Sequence, residues 1–354
     1  MRGKVMQRLR TAVIGLGRIG WQFHVPQIMR HDGFELTAVV DPLDKRLAEA
    51  RSEFGVKGYA DADTLLQAES LDLVVIASPT HFHADHAIAA FEHGSDVFCD
   101  KPMAPSLEEA NRMAASMKKH GRKLMIYQPR RAGSDIVALR EVLRQDLIGP
   151  VYMIKRAGDD YTRRNDWQAF RKHGGGMLNN FGAHAVDQLL YLAGSSAKHV
   201  ACSLRSIACL GDADDVVKAV IETENGIILD VDINMASAHS MTPWHILGER
   251  GSIILDSDQN AWCVRFFRPE ELPDLAVQEG FAAVDRRYGS GETIPWREKV
   301  FPFSDVQPVD YFQKCYEYFA LDKDPFVPLA ESLEVMRVLD VCRKDAQGTS
   351  KTDF

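Results

Sequence analysis

The sequence predicts an α/β domain with a parallel sheet, followed by an α+β domain with a large, mainly antiparallel open sheet. Two observations predict this order of domains. In residues 11–126, short apolar segments alternate with helical segments, which is typical of parallel strands covered by helices. After about residue 127, strand-like segments dominate and a tight turn joins two of them. We therefore expect a first domain over residues 1–126 and a second domain over residues 127–354.

The strands of the first domain are predicted from short segments that are apolar on both faces, as strands in a buried parallel sheet are. They occupy residues 11–17, 35–41, 71–78, 96–102 and 123–128. Helical segments lie between them at residues 18–30, 43–54, 83–93 and 106–119. Strand, helix and strand at this spacing predict a doubly wound sheet.

The second domain begins with a predicted helix at residues 134–145 and then consists mainly of strands. These are predicted at residues 151–157, 199–206, 215–223, 227–235, 244–256 and 261–267, with a helix at 180–193 among them. Asn225-Gly226 between two strands favours a hairpin with a type I′ turn. Residues 268–300 are polar and rich in turn-forming residues, and helices at 308–321 and 330–345 follow.

Composition and charge argue against several classes of protein. A net charge of −8 disfavours nucleic acid or an anionic membrane as a main partner. No apolar run approaches the roughly 18 residues of a membrane-spanning helix, and the basic segment 1–10 lacks the apolar core of a secretory signal. Six cysteines without a CxxC pair predict reduced thiols. We therefore expect a cytoplasmic protein.

A glycine-rich motif stands where the first predicted strand meets the first helix. Gly15-Leu16-Gly17-Arg18-Ile19-Gly20 fits GxGxxG, and Asp41 ends the next strand 21 residues after Gly20. Gly15 permits the tight turn, Gly17 lets the backbone approach a pyrophosphate, and Gly20 lets helix and strand pack closely. Together these features predict a Rossmann fold that binds a dinucleotide through Gly15, Gly17, Arg18 and Ile19.

Asp41 also bears on the choice of cofactor. A carboxylate at this place accepts hydrogen bonds from both ribose hydroxyls of NAD and repels the 2′-phosphate of NADP. Lys45 and Arg46 follow closely and either soften that repulsion or belong to a solvated helix start. The sequence therefore favours NAD over NADP.

Two further segments carry residues suited to proton transfer. Lys101, in Asp100-Lys101-Pro102, follows the fourth predicted strand, at the edge of the sheet where ligands bind, and can donate a proton or stabilise an alkoxide. Asn180, His184 and Asp187 share one face of a predicted helix. His184 can relay a proton and Asp187 can orient it. Each also has a plainer interpretation, as a helix cap, a core histidine and a solvated carboxylate.

Four residues near the third strand resemble metal ligands in composition, namely His81, His83, Asp85 and His86. No cysteine and no second histidine pair accompanies them at the spacing of a zinc site, so we expect no metal. His83 is instead expected at the start of a helix beside the cofactor. The sequence also lacks GxSxG, which leaves a serine hydrolase without support.

The ordered set of motifs resembles that of the Gfo/Idh/MocA oxidoreductases, named for glucose–fructose oxidoreductase and inositol dehydrogenase. The motifs are GLGRIG at 15–20, SPTHFH at 78–83, CDKP at 99–102, IGPV at 148–151 and GGGMLNNFGAHAVDQLLYL at 174–192. The resemblance implies an NAD(P)-dependent dehydrogenase or reductase acting on a secondary alcohol of a sugar, sugar derivative or cyclitol. It also implies that Ser78, Pro79, His83, Asp100 and Lys101 contact the cofactor, and that the second sheet joins subunits into homodimers or homotetramers.

The sequence departs from the family pattern at one position of the reactive set. Dehydrogenases of this family commonly carry Asp-x-x-x-His, whereas this chain has Asn180 before His184 and keeps Lys101. An amide cannot accept a proton as a base. We therefore assign proton removal to His184, stabilisation of the alkoxide to Lys101, and orientation of the substrate hydroxyl to Asn180.

Other residues near this motif are candidates for contact with the substrate. Trp167 either walls the pocket and stacks on a sugar face or packs in the core. Arg163 and Arg164 either meet a carboxylate or phosphate of the substrate or are solvated. Asp187 is a candidate as well, because it shares a helix face with His184.

Two other functions are compatible with the fold. A glycosidase that oxidises its sugar transiently with tightly held NAD, eliminates the aglycone and then reduces the sugar again would use the same Lys101 and His184. The sequence does not distinguish it from a dehydrogenase. A non-catalytic ligand sensor would be expected to lose both residues, and their presence disfavours that function.

Overall fold

The computed structural model of the chain describes residues 8–277, 279 and 292–348. The first seven residues of the basic N terminus and part of the polar segment 268–300 lie outside the described residues. Among the described residues, none of the helices combines the length and the apolarity needed to cross a bilayer. All six cysteines are free thiols, as the sequence predicts.

In the part of the chain that the structure describes, six strands form the first sheet, and every neighbouring pair in it is parallel. The strands are β1 (Leu9–Ile14), β2 (Phe34–Val40), β3 (Lys57–Tyr59), β4 (Leu73–Ile76), β5 (Asp96–Asp100) and β6 (Leu124–Tyr127). Their order is β3-β2-β1-β4-β5-β6, which is that of a Rossmann fold. The direction of connection reverses between β1 and β4, so a ligand site is expected at the carboxyl ends of these two strands.

Helices connect these strands at the predicted places. They are α1 (Val25–Arg30), α2 (Asp44–Phe54), α3 (Ala62–Ala68), α4 (His83–Glu92) and α5 (Leu107–Lys119), and a π-helical turn (Gly20–His24) precedes α1. The sequence analysis missed β3 and α3. β3 is a three-residue edge strand without an apolar run, and α3 is a short helix whose N-terminus is capped by the Asp61 carboxylate accepting from the Thr64 N–H.

Within the described residues, eight strands form the second sheet. They are β7 (Val151–Asp159), β8 (Ala197–Arg205), β9 (Val216–Thr223), β10 (Ile228–Asn234), β11 (Trp244–Gly248), β12 (Gly251–Asp256), β13 (Ala261–Phe266) and β14 (Arg297–Pro302). Their order is β14-β13-β12-β11-β7-β10-β9-β8. Only β7 and β10 pair in parallel among the described strands of this sheet, which confirms a mainly antiparallel sheet. β14 was not predicted, because its exposed residues are largely charged.

The hairpin between β9 and β10 is confirmed, but its predicted turn type is wrong. Gly226 has a φ of 85° and its N–H donates to the Thr223 carbonyl oxygen. Asn225 does not have the positive φ that a type I′ turn requires at its first central residue. Gly226, two residues before β10, therefore supplies the positive φ of this turn.

The described residues contain four further α-helices, namely α6 (Ser134–Arg144), α7 (Ala183–Ala193), α8 (Tyr311–Leu321) and α9 (Leu329–Gly348). α7 and α9 pack against one face of the second sheet, whereas α8 contributes aromatic side chains to the core of the first sheet. The Tyr311 hydroxyl accepts from the Gln128 N–H and donates to the Ile126 carbonyl. The division at residue 126 is still a prediction, and the packing of α8 crosses it.

A buried ion pair fixes α7 to the turn that follows β6. The Arg131 guanidinium donates two hydrogen bonds, of 2.7 and 2.6 Å, to the two oxygens of Asp187, and both side chains are 1% exposed. Arg131 also contacts Glu331. The prediction that Asp187 contacts the substrate is therefore wrong, because Arg131 occupies both of its oxygens inside the protein.

We expect Asp187→Ala to lower the free energy of unfolding by about 3 kcal/mol, because the buried Arg131 guanidinium loses the carboxylate that accepts two of its hydrogen bonds and keeps the half-exposed Glu331. Urea denaturation of the purified variant measures this loss. Glu141→Ala removes an exposed ion pair with Arg144 and is the matched control, with an expected loss of at most about 1 kcal/mol. An Asp187→Ala variant as stable as this control would contradict the structural role of Asp187.

Candidate active site

A cleft of about 1020 Å³ lies along the carboxyl edge of the first sheet. Its walls come from the glycine-rich loop, the segments that follow β2, β4, β5 and β6, and residues 164–184 of the second domain. Single small-molecule sites usually have volumes of about 300–1,000 Å³. The cleft is therefore large enough for a dinucleotide together with a second small molecule.

The glycine-rich loop folds tightly at one end of the cleft. Gly15 has a φ of 101°, and a Cβ atom there would lie 2.7 Å from the Ala77 backbone. A Cβ atom on Gly20 would lie 1.9 Å from the Gly15 carbonyl oxygen. At Gly17, by contrast, no atom lies within 4 Å of the place a Cβ would take. The loop thus leaves open space in front of Gly17, as the close approach of a pyrophosphate requires.

Asp41 lies beside this loop with its carboxylate buried. It accepts hydrogen bonds from the Leu16 N–H at 2.9 Å, the Leu43 N–H at 3.0 Å and the Arg46 guanidinium at 3.0 Å. A carboxylate offers about four lone-pair positions, so one is still open. The Arg46 side chain is 41% exposed and can therefore move away from Asp41, which would free a second acceptor position on the carboxylate for a ligand. The loop and the carboxylate together fit a dinucleotide.

The segment after β4 forms the next part of the wall. Ser78 and Pro79 line the cleft, and the His83 ring lies between the Ser78 carbonyl at 2.8 Å and the Pro102 carbonyl at 3.0 Å. Burial lowers the pKa of His83 to about 4, so the neutral ring donates through only one nitrogen. His83 thereby links the segments that follow β4 and β5.

The histidines that suggested a metal site by composition are engaged otherwise. His86 is hydrogen-bonded to the Ser78 hydroxyl at 3.1 Å, and the His81 ring packs against Phe82. Within residues 8–277, 279 and 292–348, no group of three or more histidine, cysteine or carboxylate side chains is arranged to hold a metal ion.

Lys101 reaches from the end of β5 into the second domain. Its Nζ donates to the Asn180 carbonyl oxygen at 2.8 Å and contacts the Asn180 Oδ1 at 3.3 Å. Burial, together with the charge of nearby guanidinium groups, lowers the pKa of Lys101 to about 8, although the negative charge of Asp100 acts in the opposite direction. Asp100 accepts from the Lys101 N–H at 2.8 Å, and burial raises the pKa of Asp100 to about 6.

The Asn180 amide is oriented by a hydrogen-bond network. Its Nδ2 donates to the Gln168 Oε1 at 3.4 Å, and the same oxygen accepts from Arg164. Arg164 also pairs with Asp166 at 3.0 Å. Since Lys101 needs an acceptor and Gln168 presents an oxygen, an amide at position 180 satisfies both neighbours. A carboxylate would place an oxygen against the Gln168 oxygen.

His184 lies on α7, one helical turn after Asn180, and lines the cleft. Its Nδ1 is buried and has no hydrogen-bond partner in the described part of the chain. Burial, and then the positive charges of Lys101, Arg130 and Arg156, hold its pKa well below the ordinary value. The imidazole is therefore uncharged at neutral pH and can accept a proton.

The segment before α7 contributes Trp167 and Arg164 to the cleft. The Trp167 side chain is 40% exposed, so the alternative that it packs in the core is wrong. Arg163, the neighbour of Arg164, is exposed and does not line the cleft. The prediction that Arg163 binds the substrate is thus not supported, and Arg164 lines the cleft in its place.

Sequence reasoning missed Arg130. It lies in the turn after β6, lines the cleft and stacks on the Phe181 ring at 5.0 Å. The sequence does contain a signal for it. Ligands bind at the carboxyl ends of parallel strands, and this principle, which predicted Lys101 after β5, applies equally to Arg130 after β6.

Comparison with known proteins agrees with this architecture. Residues 9–128 match the family described as oxidoreductases with an NAD-binding Rossmann fold, and residues 136–254 match the GFO/IDH/MocA C-terminal domain. The scyllo-inositol 2-dehydrogenase (NAD(+)) of Bacillus subtilis is 28% identical over 70% of this chain and 74% of its own. The D-glucoside 3-dehydrogenase of Escherichia coli is 31% identical over 53% and 55%.

Solved structures share the fold over nearly the whole chain. An NAD-binding protein from Listeria innocua superposes with a TM-score of 0.81 at 24% identity and covers 97% of this chain and 96% of its own. The WlbA dehydrogenase of Bordetella pertussis, solved with NADH and UDP-GlcNAcA, has a TM-score of 0.77 at 20% identity and covers 97% and 98%. The chain is a member of the GFO/IDH/MocA family of NAD-binding oxidoreductases.

Proposed function

We propose that this oxidoreductase transfers a hydride between NAD and a secondary alcohol of a sugar, sugar derivative or cyclitol. The observation that carries the proposal is that the Lys101 ammonium and the His184 imidazole line the same cleft as the glycine-rich loop. Two similar proteins support the substrate class by their names, a D-glucoside 3-dehydrogenase and a scyllo-inositol 2-dehydrogenase.

The cofactor would be held along the first domain. The open space before Gly17 suits the pyrophosphate, and the N–H groups of the helix start at Arg18 and Ile19 suit its negative charge. Asp41 suits the ribose, and Ser78, Pro79, His83 and Asp100 line the remaining wall. When bound, NAD supplies the hydride acceptor for alcohol oxidation, or as NADH the donor for the reverse reaction.

The residues of this chain handle the proton. In the oxidation direction, the uncharged His184 accepts the proton of the substrate hydroxyl. The Lys101 ammonium stabilises the developing alkoxide, replacing its present contact with the Asn180 carbonyl. Asn180 keeps Lys101 in place and orients the hydroxyl, and Trp167 offers an aromatic face to the sugar ring.

We expect Lys101→Met to reduce turnover by about 100-fold to 1,000-fold, because the alkoxide loses its cationic partner. Affinity for NADH should be largely retained, since the loop and Asp41 are intact. The assay follows NADH absorbance with a panel of sugars and cyclitols, and NADH binding is measured separately by fluorescence. Lys119→Met, at an exposed position in the last turn of α5, is the control.

The pH dependence of the wild-type enzyme is a second readout of the same assignment. Because burial lowers the pKa of Lys101 to about 8, oxidation should slow as the pH rises through that value and the ammonium is lost. Full turnover by Lys101→Met would remove Lys101 from the mechanism. Release of an aglycone without accumulation of NADH would instead identify a glycosidase.

We also propose that NAD is preferred to NADP, because the Asp41 carboxylate opposes a 2′-phosphate. Arg46 offsets part of this repulsion through its ion pair with Asp41. We expect Arg46→Ala to increase the preference for NADH over NADPH by about 5-fold, as measured by the ratio of dissociation constants. Lys45→Ala, whose side chain is 88% exposed, should leave the ratio unchanged. A lower ratio in Arg46→Ala would contradict the proposal.

We further propose that the second sheet joins subunits into a homodimer or homotetramer in the cytoplasm. Helices cover one face of this sheet, and register places Val220, Ile254 and Val300 in one row across the other, where they are 43%, 40% and 50% exposed. We expect light scattering to give a mass of two or four times 39.6 kDa, and the double variant Ile254→Glu, Val300→Glu to be monomeric. A monomeric wild-type protein would exclude this assembly.

A further inference from the structure

The end of the cleft that holds the reactive groups is rich in cationic side chains. Arg130, Arg18 and Arg164 all lie close enough to Lys101 to lower its pKa. Three carboxylates of the described residues oppose them, and one of these, Asp135, acts on Arg130 through its charge without a hydrogen bond. Asp100 accepts from the Lys101 backbone N–H, and Asp166 pairs with Arg164. The excess of positive charge is thus concentrated where the substrate must bind.

Arg130 and Arg18 both line the cleft with guanidinium groups for which the described residues provide no hydrogen bond or ion pair, but Arg18 belongs to the glycine-rich loop assigned to the cofactor, which leaves Arg130 for the substrate. Its guanidinium stacks on one side of the Phe181 ring, and no residue that the structure describes accepts a hydrogen bond or forms an ion pair with it. Arg156, which also packs on Phe181 at 4.9 Å, donates instead to the carbonyl oxygens of Ala157 and Pro243. Of the two guanidinium groups on this ring, only that of Arg130 is available to a ligand in the cleft.

Asn180 strengthens this excess of charge. Because it carries an amide where a carboxylate would neutralise Lys101, the ammonium is held by two uncharged oxygens. His184 becomes cationic when it accepts the proton of the hydroxyl. The positive charges of Lys101, Arg130 and Arg156 repel that cation. A negative charge on the substrate would offset this repulsion and make the proton transfer easier.

We propose that the substrate is a sugar acid, whose carboxylate is bound by the Arg130 guanidinium beside Lys101. A single planar guanidinium with free N–H groups matches a carboxylate, with which it forms two parallel charge-assisted hydrogen bonds. The inference rests on the proposed function, since it names the class of alcohol that is oxidised. It also assigns to Asn180 a second effect, which is to leave the charge of Lys101 available to an anion.

The experiment compares matched ligands on the full-length protein with NADH present. A panel of common hexoses is used, each as the neutral sugar, the aldonate, the uronate and the 6-phosphate. Binding is measured by thermal shift and calorimetry, because a bound ligand stabilises the folded protein by an amount that grows with the logarithm of its concentration divided by Kd. Turnover of the same compounds is then followed as NADH production from NAD.

We expect at least one aldonate or uronate to bind more tightly than its neutral counterpart. Arg130→Gln should weaken that binding by about 10-fold to 100-fold and leave binding of the neutral sugar unchanged. Arg130→Lys, which keeps the charge without the two-pronged geometry, should lie between. Arg144→Gln, on a side chain that is 63% exposed, is the control for loss of one positive charge. Unfolding temperatures measured without ligand verify that each variant folds.

The outcomes separate this inference from the proposed function. The carboxylate site would be overturned if a neutral sugar bound more tightly than every acid, or if Arg130→Gln weakened acid and neutral binding equally. NADH production would in that case still support a dehydrogenase. Preference for a 6-phosphate would identify a phosphate ligand instead and overturn the sugar acid. Binding of an acid that depends on Arg130, without NADH production from any compound, would support the site and contradict the proposed function.

Discussion

The hydrogen bond from the Lys101 ammonium to the Asn180 carbonyl is the constraint on which the rest of the site depends. It joins the end of a parallel strand in the first domain to the π-helical turn (Leu178–Gly182) that leads into α7 in the second. Because α7 also carries His184, the same contact sets the position of the imidazole relative to the ammonium. The buried pair of Arg131 and Asp187 holds the other side of this helix against the turn after β6. Two polar contacts thus fix α7, and the reactive groups come from both domains.

Burial and charge together decide what these groups can do. Removal from water disfavours the charged forms of both lysine and histidine, and the surrounding guanidinium groups act in the same direction. Lysine keeps its proton near neutral pH because its ordinary pKa is high, whereas histidine loses it. The same environment therefore places a cationic Lys101 near an uncharged His184 that can accept a proton. An acid and a base whose pKa values are kept apart are what reversible oxidation of an alcohol requires.

Much of the fold could be predicted from the sequence, because the signals were local. Buried parallel strands have continuous apolar segments, and GxGxxG followed by Asp41 specifies its turn through steric and hydrogen-bonding needs that the structure displays at Gly15 and Gly20. The edge strands β3 and β14 lacked such signals, since an edge strand needs no apolar run. The turn at Asn225-Gly226 was placed correctly but given the wrong type, because glycine alone supplies the left-handed residue.

The site was less predictable, because side-chain partners depend on tertiary contacts. Asp187 lies on the same helix as His184, and nothing in its spacing revealed that Arg131, 56 residues away, occupies it. Arg163 and Arg164 are adjacent residues of the same type, and only the folded structure shows that Arg164 lines the cleft whereas Arg163 is exposed. Arg130 could have been predicted, because it follows β6 at the same edge of the sheet at which Lys101 follows β5. The residues predicted correctly belong to sequence motifs, whereas the residues that were missed owe their place in the site to tertiary contacts alone.

The most direct test of the account is a crystal structure of the enzyme with NADH and a ligand that it oxidises. The account predicts that one ligand hydroxyl lies within hydrogen-bond distance of both the Lys101 Nζ and a ring nitrogen of His184, with its carbon facing the nicotinamide. A ligand whose hydroxyls approach neither group, with Lys101 still bonded only to Asn180, would contradict it.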